Sequence, residues 1–172
     1  MFLPQTEGVD HINIYTKSNT ELGRILTNMY WMDPPVRMGH HGLFRTIEGW
    51  WYYVKITQLL GDKYWNDKRE VLFDMQVGKG FEVKKIARKI ISNIDPKKLK
   101  RWDHHKHKSM MLMAFQAKLN ALPELQRLLK ESTLPFDHYY VYGTGEKAIR
   151  READERHAWQ IAAWTKLREG LQ

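Results

Sequence analysis

The stretch Thr46-Ile-Glu48-Gly-Trp50-Trp51-Tyr52-Tyr53-Val-Lys55 puts one carboxylate, four aromatic rings and one ammonium within ten residues. On a helix, Glu48 lies three and four residues before Trp51 and Tyr52 and seven before Lys55, so the four share a face. A carboxylate held against rings loses hydration, and its pKa rises unless a cation such as Lys55 opposes it. That setting suits proton transfer, or stabilisation of positive charge developing on a substrate. The plainer reading is a helix-start glutamate favoured by the macrodipole, ahead of an aromatic core face.

Other clusters carry less. Trp102-Asp103-His104-His105-Lys106-His107 offers the i, i+3 pair His104/His107, but no third metal ligand is fixed, and a solvated basic segment explains it better. His40-His41 is similar. Gly143-Thr144-Gly145 could turn backbone N–H groups toward a phosphate, yet it lacks the further glycine and Lys-Ser/Thr of a P-loop and reads as a turn. No Gly-x-Ser-x-Gly pattern marks a serine nucleophile. The absence of cysteine excludes disulfides, thiolate metal sites and cysteine nucleophiles.

Helices must position most of these residues. Ile47 to Leu60 has the length and aromatic content of a buried helix, with Gly61 as its C-cap. Phe81 to Ile94 puts Val83, Ile86, Ala87, Ile90 and Ile91 on one stripe and ends at Asp95-Pro96. Asp103 can cap a helix running to about Asn120, and Pro123 starts the next. A last helix is expected over about Arg150 to Glu169. His11 to Tyr15, Leu43 to Thr46 and Asp137 to Tyr142 read as short strands, and Asp33-Pro34-Pro35 interrupts any helix. The expected class is α+β, mainly α-helical, as one domain over residues 1–172.

With 172 residues, 42% apolar and 28% charged, the chain fits a globular domain. No run approaches the ~20 apolar residues of a membrane span. The N-terminus has neither a basic n-region nor an apolar h-region, so the expected location is cytoplasmic. Charge is unevenly placed. Between Lys84 and Lys108 stand ten Lys/Arg against Asp95 and Asp103, which equals the net +8 of the whole chain. Such a local field fits an anionic partner, and fits equally a solvated helix face with a basic loop.

The order of several pieces resembles the NADAR superfamily, the YbiA-like N-glycosidases. Leu26-Thr27-Asn28-Met29-Tyr30 is similar to the family's Leu-Ser-Asn-Phe-Tyr. Phe44-Arg45-Thr46-Ile47-Glu48, running on to Lys55, resembles Thr-x-Glu-His-x-x-Gln-x-x-Lys. Trp102, Lys106, Met110/Met111 and Ala117-Lys118-Leu119 follow in the family's order, as do Pro123-Glu124-Leu125, Leu128-Leu129, Asp137-His138-Tyr139-Tyr140 and the closing Leu167-Arg168-Glu169. The resemblance covers about residues 22–172. It departs at Gly49 (usually His), Tyr52 (usually Gln), Tyr140-Val141 (usually Trp-Gly) and Ala158-Trp159-Gln160-Ile161 (usually Asn-x-Leu-Gly).

The resemblance implies hydrolysis of an N-glycosidic bond through an oxocarbenium-like sugar. It implies Glu48 as the carboxylate beside the anomeric carbon and Asp137 as its partner or water positioner. Trp51 and Trp102 would stack on a base, Asn28 would bond ribose hydroxyls or a base edge, and Lys55 and Lys118 would contact phosphate. No metal or other cofactor is expected. The basic segment reaches Trp102, which favours a phosphate-rich substrate such as ADP-ribosylated nucleic acid over a small nucleotide-like metabolite. Lys97, Lys98, Lys100 and Arg101 would then meet phosphates. The alternatives are a non-catalytic nucleotide- or nucleic-acid-binding module with a degenerate pocket, and a small protein whose basic face docks onto a larger assembly.

Overall fold

A computed structural model describes residues 1–100 and 102–171, with the side chains of His104, His105 and Arg156 outside that description. In chain order the first elements are β1 (Ile12–Asn13), α1 (Glu21–Leu26), β2 (Val36–Arg37), β3 (Leu43–Phe44) and α2 (Ile47–Leu60). They are followed by α3 (Arg69–Val77), α4 (Gly80–Ile91), α5 (Pro96–Leu99), α6 (His104–Ala121) and α7 (Pro123–Glu131). The chain closes with β4 (Phe136–Asp137), β5 (Tyr139–Tyr142), β6 (Ile149–Glu152) and α8 (Ala158–Glu169). The class is α+β and mainly helical. The strands form three separate two-stranded pairs, β1 with β4, β2 with β3 and β5 with β6. The chain packs as two compact units, residues 28–118 forming one and residues 1–27 with 119–172 the other.

In the 28–118 unit, α2 starts where Thr46 caps it, the hydroxyl accepting the Gly49 N–H at 3.0 Å. Such a cap stabilises a helix by about 1 kcal/mol. The helix stops at Gly61, whose φ of 83° is left-handed and whose N–H donates to the Thr57 carbonyl at 2.7 Å. Helices α3 and α4 both pack on α2. The core they enclose contains Ile56, Trp65, Met75, Val83 and Ala87, with Ile86, Ile90 and Ile91 packed against it. Each aliphatic side chain removed from water there contributes ~1.5–3 kcal/mol. The stripe expected on α4 therefore faces this core.

Two glycines permit that closeness. A Cβ on Gly49 would stand 2.2 Å from the Met75 carbonyl oxygen, and one on Gly80 would stand 2.6–3.0 Å from Met29. Any side chain at either position would force α3 or α4 away from its neighbour.

The other unit is closed by buried polar pairs as well as by packing. Helix α7 lies on α1, with Leu125 and Leu129 buried on α7 and Leu22, Ile25 and Leu26 buried on α1. Parallel β1 and β4 align Ile12 with Phe136 and Asn13 with Asp137. The Asn13 side chain then bonds both the N–H and the carbonyl of Tyr139, each at 3.1 Å. Fully buried His11 sits between Asp10 at 2.5 Å and the Tyr139 hydroxyl at 2.6 Å.

One local expectation needs correction, and two further helices stand where none was expected. The last helix begins at Ala158 rather than near Arg150, because Ile149–Glu152 is strand β6 paired antiparallel with β5. Gly143 and Gly145, both at positive φ (81° and 57°), turn the chain back to make that pairing. Residues 69–77, which carry no clean stripe, form α3, with Met75 as the only residue of that helix that is fully buried. The stretch 20–30 holds a short helix, α1, capped by Thr20.

Candidate functional site

Glu48 is the second residue of α2, two positions after the Thr46 cap. Its N–H donates to the Asn28 carbonyl at 2.9 Å, so two of the expected site residues are joined through the backbone. The Glu48 side chain is only 12% exposed. Its carboxylate accepts no hydrogen bond among the described residues, and burial raises its pKa above the usual carboxylate range. The nearby Lys84 and Arg88 work in the opposite direction. Lys84 Nζ stands 3.9 Å from Glu48 Oε1, too far for a hydrogen bond.

The aromatic surroundings thus raise the carboxyl as expected, but the opposing cation differs. Lys55 was the expected counter-charge; Lys84 and Arg88 of α4 hold that place. The reason is packing. Helix α4 turns its apolar stripe toward α2, and its edge residues at i and i+4 flank that stripe. Tyr52 joins the same cluster, its pKa raised by burial and by the Glu48 charge while Arg88 opposes the rise.

The Asn28 side-chain carbonyl is buried with no hydrogen-bond partner among the described residues. An orphaned buried carbonyl costs ~1–3 kcal/mol, so a donor arriving there would be well received. The face of α2 that carries Glu48, Trp51, Tyr52 and Lys55 is half-buried throughout, between the fully buried Ile47, Trp50 and Val54 and the solvent.

Lys55 and Trp51 belong to a second group on the same face. Lys55 Nζ lies 5.1 Å from the Trp102 ring centroid, and burial lowers its pKa. Trp51 meets Trp102 edge-on, and His107 stacks on Trp102. Trp102 is 8% exposed. The two tryptophans expected to stack on a base are therefore engaged with each other and with His107. Trp102 still lines a cavity of about 530 Å³ together with Gln58, Leu59, Lys98, Asp103 and Lys106. That cavity joins the expected Trp102 to the expected Lys98.

Lys97 and Lys100 are exposed on and just after α5. Arg101 lies outside the described residues.

Lys118 is wholly enclosed, with its ammonium 5.1 Å from the Tyr30 ring centroid and its pKa lowered to about 7 by burial. Neither snorkelling to solvent nor meeting a phosphate at the surface describes that position. Asp137 belongs to the other unit and is bound on both oxygens. Oδ1 accepts the His138 N–H at 2.8 Å and Oδ2 accepts Arg150 at 2.5 Å. Arg150 is held in turn by Glu152.

The histidine clusters are structural where they are described. His41 Nδ1 accepts the Trp50 indole N–H at 3.0 Å, and the His107 ring bonds the Asp103 carbonyl. The His104 side chain lies outside the described residues, and among those described no group of three side chains forms a metal site.

Gly49 stands where the NADAR motif has histidine, and the Met75 carbonyl occupies the space a side chain would need. The residues that sequence reasoning did not place beside Glu48 are Lys84 and Arg88. Their signal was the i, i+4 spacing of Lys84 and Arg88 within the basic segment, beside the α4 stripe. No family model, no curated protein and no solved structure matches this chain.

Proposed function

We propose that the chain is an N-glycosidase acting on an ADP-ribosylated or phosphoribosylated base, above all ADP-ribose on guanine in nucleic acid. The observation that carries this reading is the Glu48 carboxylate: desolvated, free of hydrogen bonds among the described residues, and faced by Lys84 and Arg88. As the C–N bond breaks, its electron pair leaves with the base and positive charge grows on the anomeric carbon. Glu48 stabilises that charge and takes a proton from the attacking water. The water oxygen bonds to the sugar, and the proton passes to the leaving nitrogen. Asn28 supplies a buried acceptor for a sugar hydroxyl or a base amino group.

Eleven residues of α2 separate Glu48 from Leu59 in the cavity, a helical rise of ~16 Å. An elongated substrate with several phosphates suits that span better than a single sugar phosphate, its phosphates meeting Lys98 and Lys106 while its ribose reaches Glu48. Asp137, with both oxygens committed, serves in this reading as a clamp rather than as the second carboxylate.

A second reading is a binding module that holds a nucleotide or nucleic acid without cleaving it. The observation favouring it is the Met75 carbonyl in the space of the motif histidine. One experiment separates the two. Wild type and Glu48→Gln are incubated with an oligonucleotide carrying ADP-ribosylated guanine and with a ribosylamino-pyrimidine phosphate, and released base and sugar are followed by mass spectrometry. Release by wild type and not by the variant supports the enzyme. Binding of either substrate without release supports the module.

A further inference from the structure

The unit made of residues 1–27 and 119–172 has a cavity of its own, of about 860 Å³. Glu7, Tyr15, Lys17 and Tyr142 line it, together with the loop 143–146. The loop is fixed in place. Its glycines 143 and 145 take positive φ, and the Gln5 side-chain amide donates to the carbonyls of Glu146 and Ala148 at 3.3 and 2.9 Å.

Glu7 is the unusual member, a carboxylate only 8% exposed. Its Oε1 accepts the Ser18 hydroxyl and, at 3.3 Å, the Asn13 N–H. Its Oε2 has no hydrogen bond and no ion pair among the described residues, although Lys17 lines the same cavity. Glu7 lines the cavity with the lone pairs of this oxygen open, and a charged donor satisfies such a carboxylate best. Tyr15 and Tyr142 add aromatic rings to the wall, and the Tyr142 ring already has the Arg151 guanidinium 5.9 Å from its centroid, the kind of cation contact such rings favour. Glu7 and Glu146 outnumber Lys17 on the wall, which disfavours an anion. The unit as a whole holds ten Lys/Arg against eleven Asp/Glu, so no general positive field repels a cation.

We propose that this cavity binds an organic cation, an ammonium or guanidinium group whose N–H donates to Glu7 Oε2 while its alkyl part rests against Tyr15 and Tyr142. The site is separate from Glu48 and its chemistry, and stands whether or not the chain is a glycosidase. Free polyamines and the basic side chains of peptides both offer this group.

Titration calorimetry on the intact protein distinguishes them, with spermidine, agmatine and a short blocked peptide carrying one central arginine as probes. At least one probe should saturate at one site per chain with a Kd of about 1 mM or tighter. Saturation by the small cations alone identifies a free ligand, and saturation by the peptide alone identifies a peptide. Glu7→Gln keeps an oxygen for Ser18 and Asn13 and puts an amide N–H₂ in place of Oε2, so the fold is retained and affinity should fall about tenfold or more. Tyr142→Ala alters a side chain already 54% exposed, and should weaken binding several-fold. Failure of all three probes to saturate, or wild-type affinity in Glu7→Gln, overturns the proposal.

Discussion

Glu48 and Asp137, the two carboxylates that the NADAR resemblance singles out, stand in opposite circumstances. Asp137 has each oxygen bonded, one by a backbone N–H and one by a guanidinium that Glu152 also grips. Glu48 is the more buried of the two, yet it has no hydrogen bond among the described residues and its nearest ammonium is 3.9 Å away. The surroundings follow the same division. The unit holding Asp137 ties His11, Asn13 and Tyr139 into paired bonds and is close to neutral. The unit holding Glu48 carries eighteen Lys/Arg against nine Asp/Glu and leaves the Asn28 carbonyl orphaned. A polar group whose bonds are complete is holding the fold. A group buried at a cost, with its lone pairs open, is poised for a partner from outside.

Removing either kind of group should have opposite effects on stability. Asp137→Ala strips Arg150 of one carboxylate in a site where its side chain is 12% exposed, and should destabilise by about 2–4 kcal/mol in urea unfolding. Gly49→Ala forces a methyl against the Met75 carbonyl and should destabilise by about 2–3 kcal/mol. A wild-type midpoint in either variant would break the comparison at its structural end.

Lys118→Met should instead change how stability depends on pH, because it removes an enclosed amine that titrates near neutrality in the folded chain. The sign with pH follows from its pKa, held near 7 in the folded chain and at the ordinary 10.5 when unfolded. Between those values the unfolded chain binds more protons, so this group makes stability rise with pH. The variant should lose that rise.

Glu48→Gln sharpens the contrast further. The folded pKa of Glu48 is raised, so the folded chain binds more protons just above the ordinary glutamate range, and stability falls as pH rises through that window. The variant removes the cost and should melt a few degrees higher at pH 7, about 1 kcal/mol, with no advantage below the ordinary glutamate pKa. An equal shift at all pH values would show that Glu48 is not desolvated. The smallest effect per residue is expected on nucleic-acid binding. Neutralising Lys97, Lys98 and Lys100 should lower the salt dependence of affinity by about one unit of slope for each phosphate that no longer meets a lysine.

How much of this the sequence revealed depended on whether a signal was local. The bounds of α2 follow from a capping threonine, a 14-residue stretch with four adjacent aromatics and a terminal glycine, and all three act locally. Burial of Glu48 among rings was legible for the same reason. Its counter-charges were not, because which edge of α4 faces α2 is decided by packing, and Lys84 and Arg88 look like any other members of a basic run. Strand β6 was hidden because Ile149-Arg-Arg-Glu152 has the composition of an exposed helix. Its pairing with β5 depends on the turn at Gly143 and Gly145 and on the Asp137–Arg150 bond. The enclosure of Lys118 had no local signal either, since a lysine in a helix ordinarily reaches solvent.

The most direct measurement runs Glu48→Gln and Asp137→Asn side by side on the ADP-ribosylated oligonucleotide, recording base release per folded molecule and melting temperature for each. The account predicts that Glu48→Gln loses release by ~10²-fold or more while melting at or above wild type, and that Asp137→Asn melts lower while its folded fraction still cleaves. Release retained in Glu48→Gln, or abolished in well-folded Asp137→Asn, would contradict it.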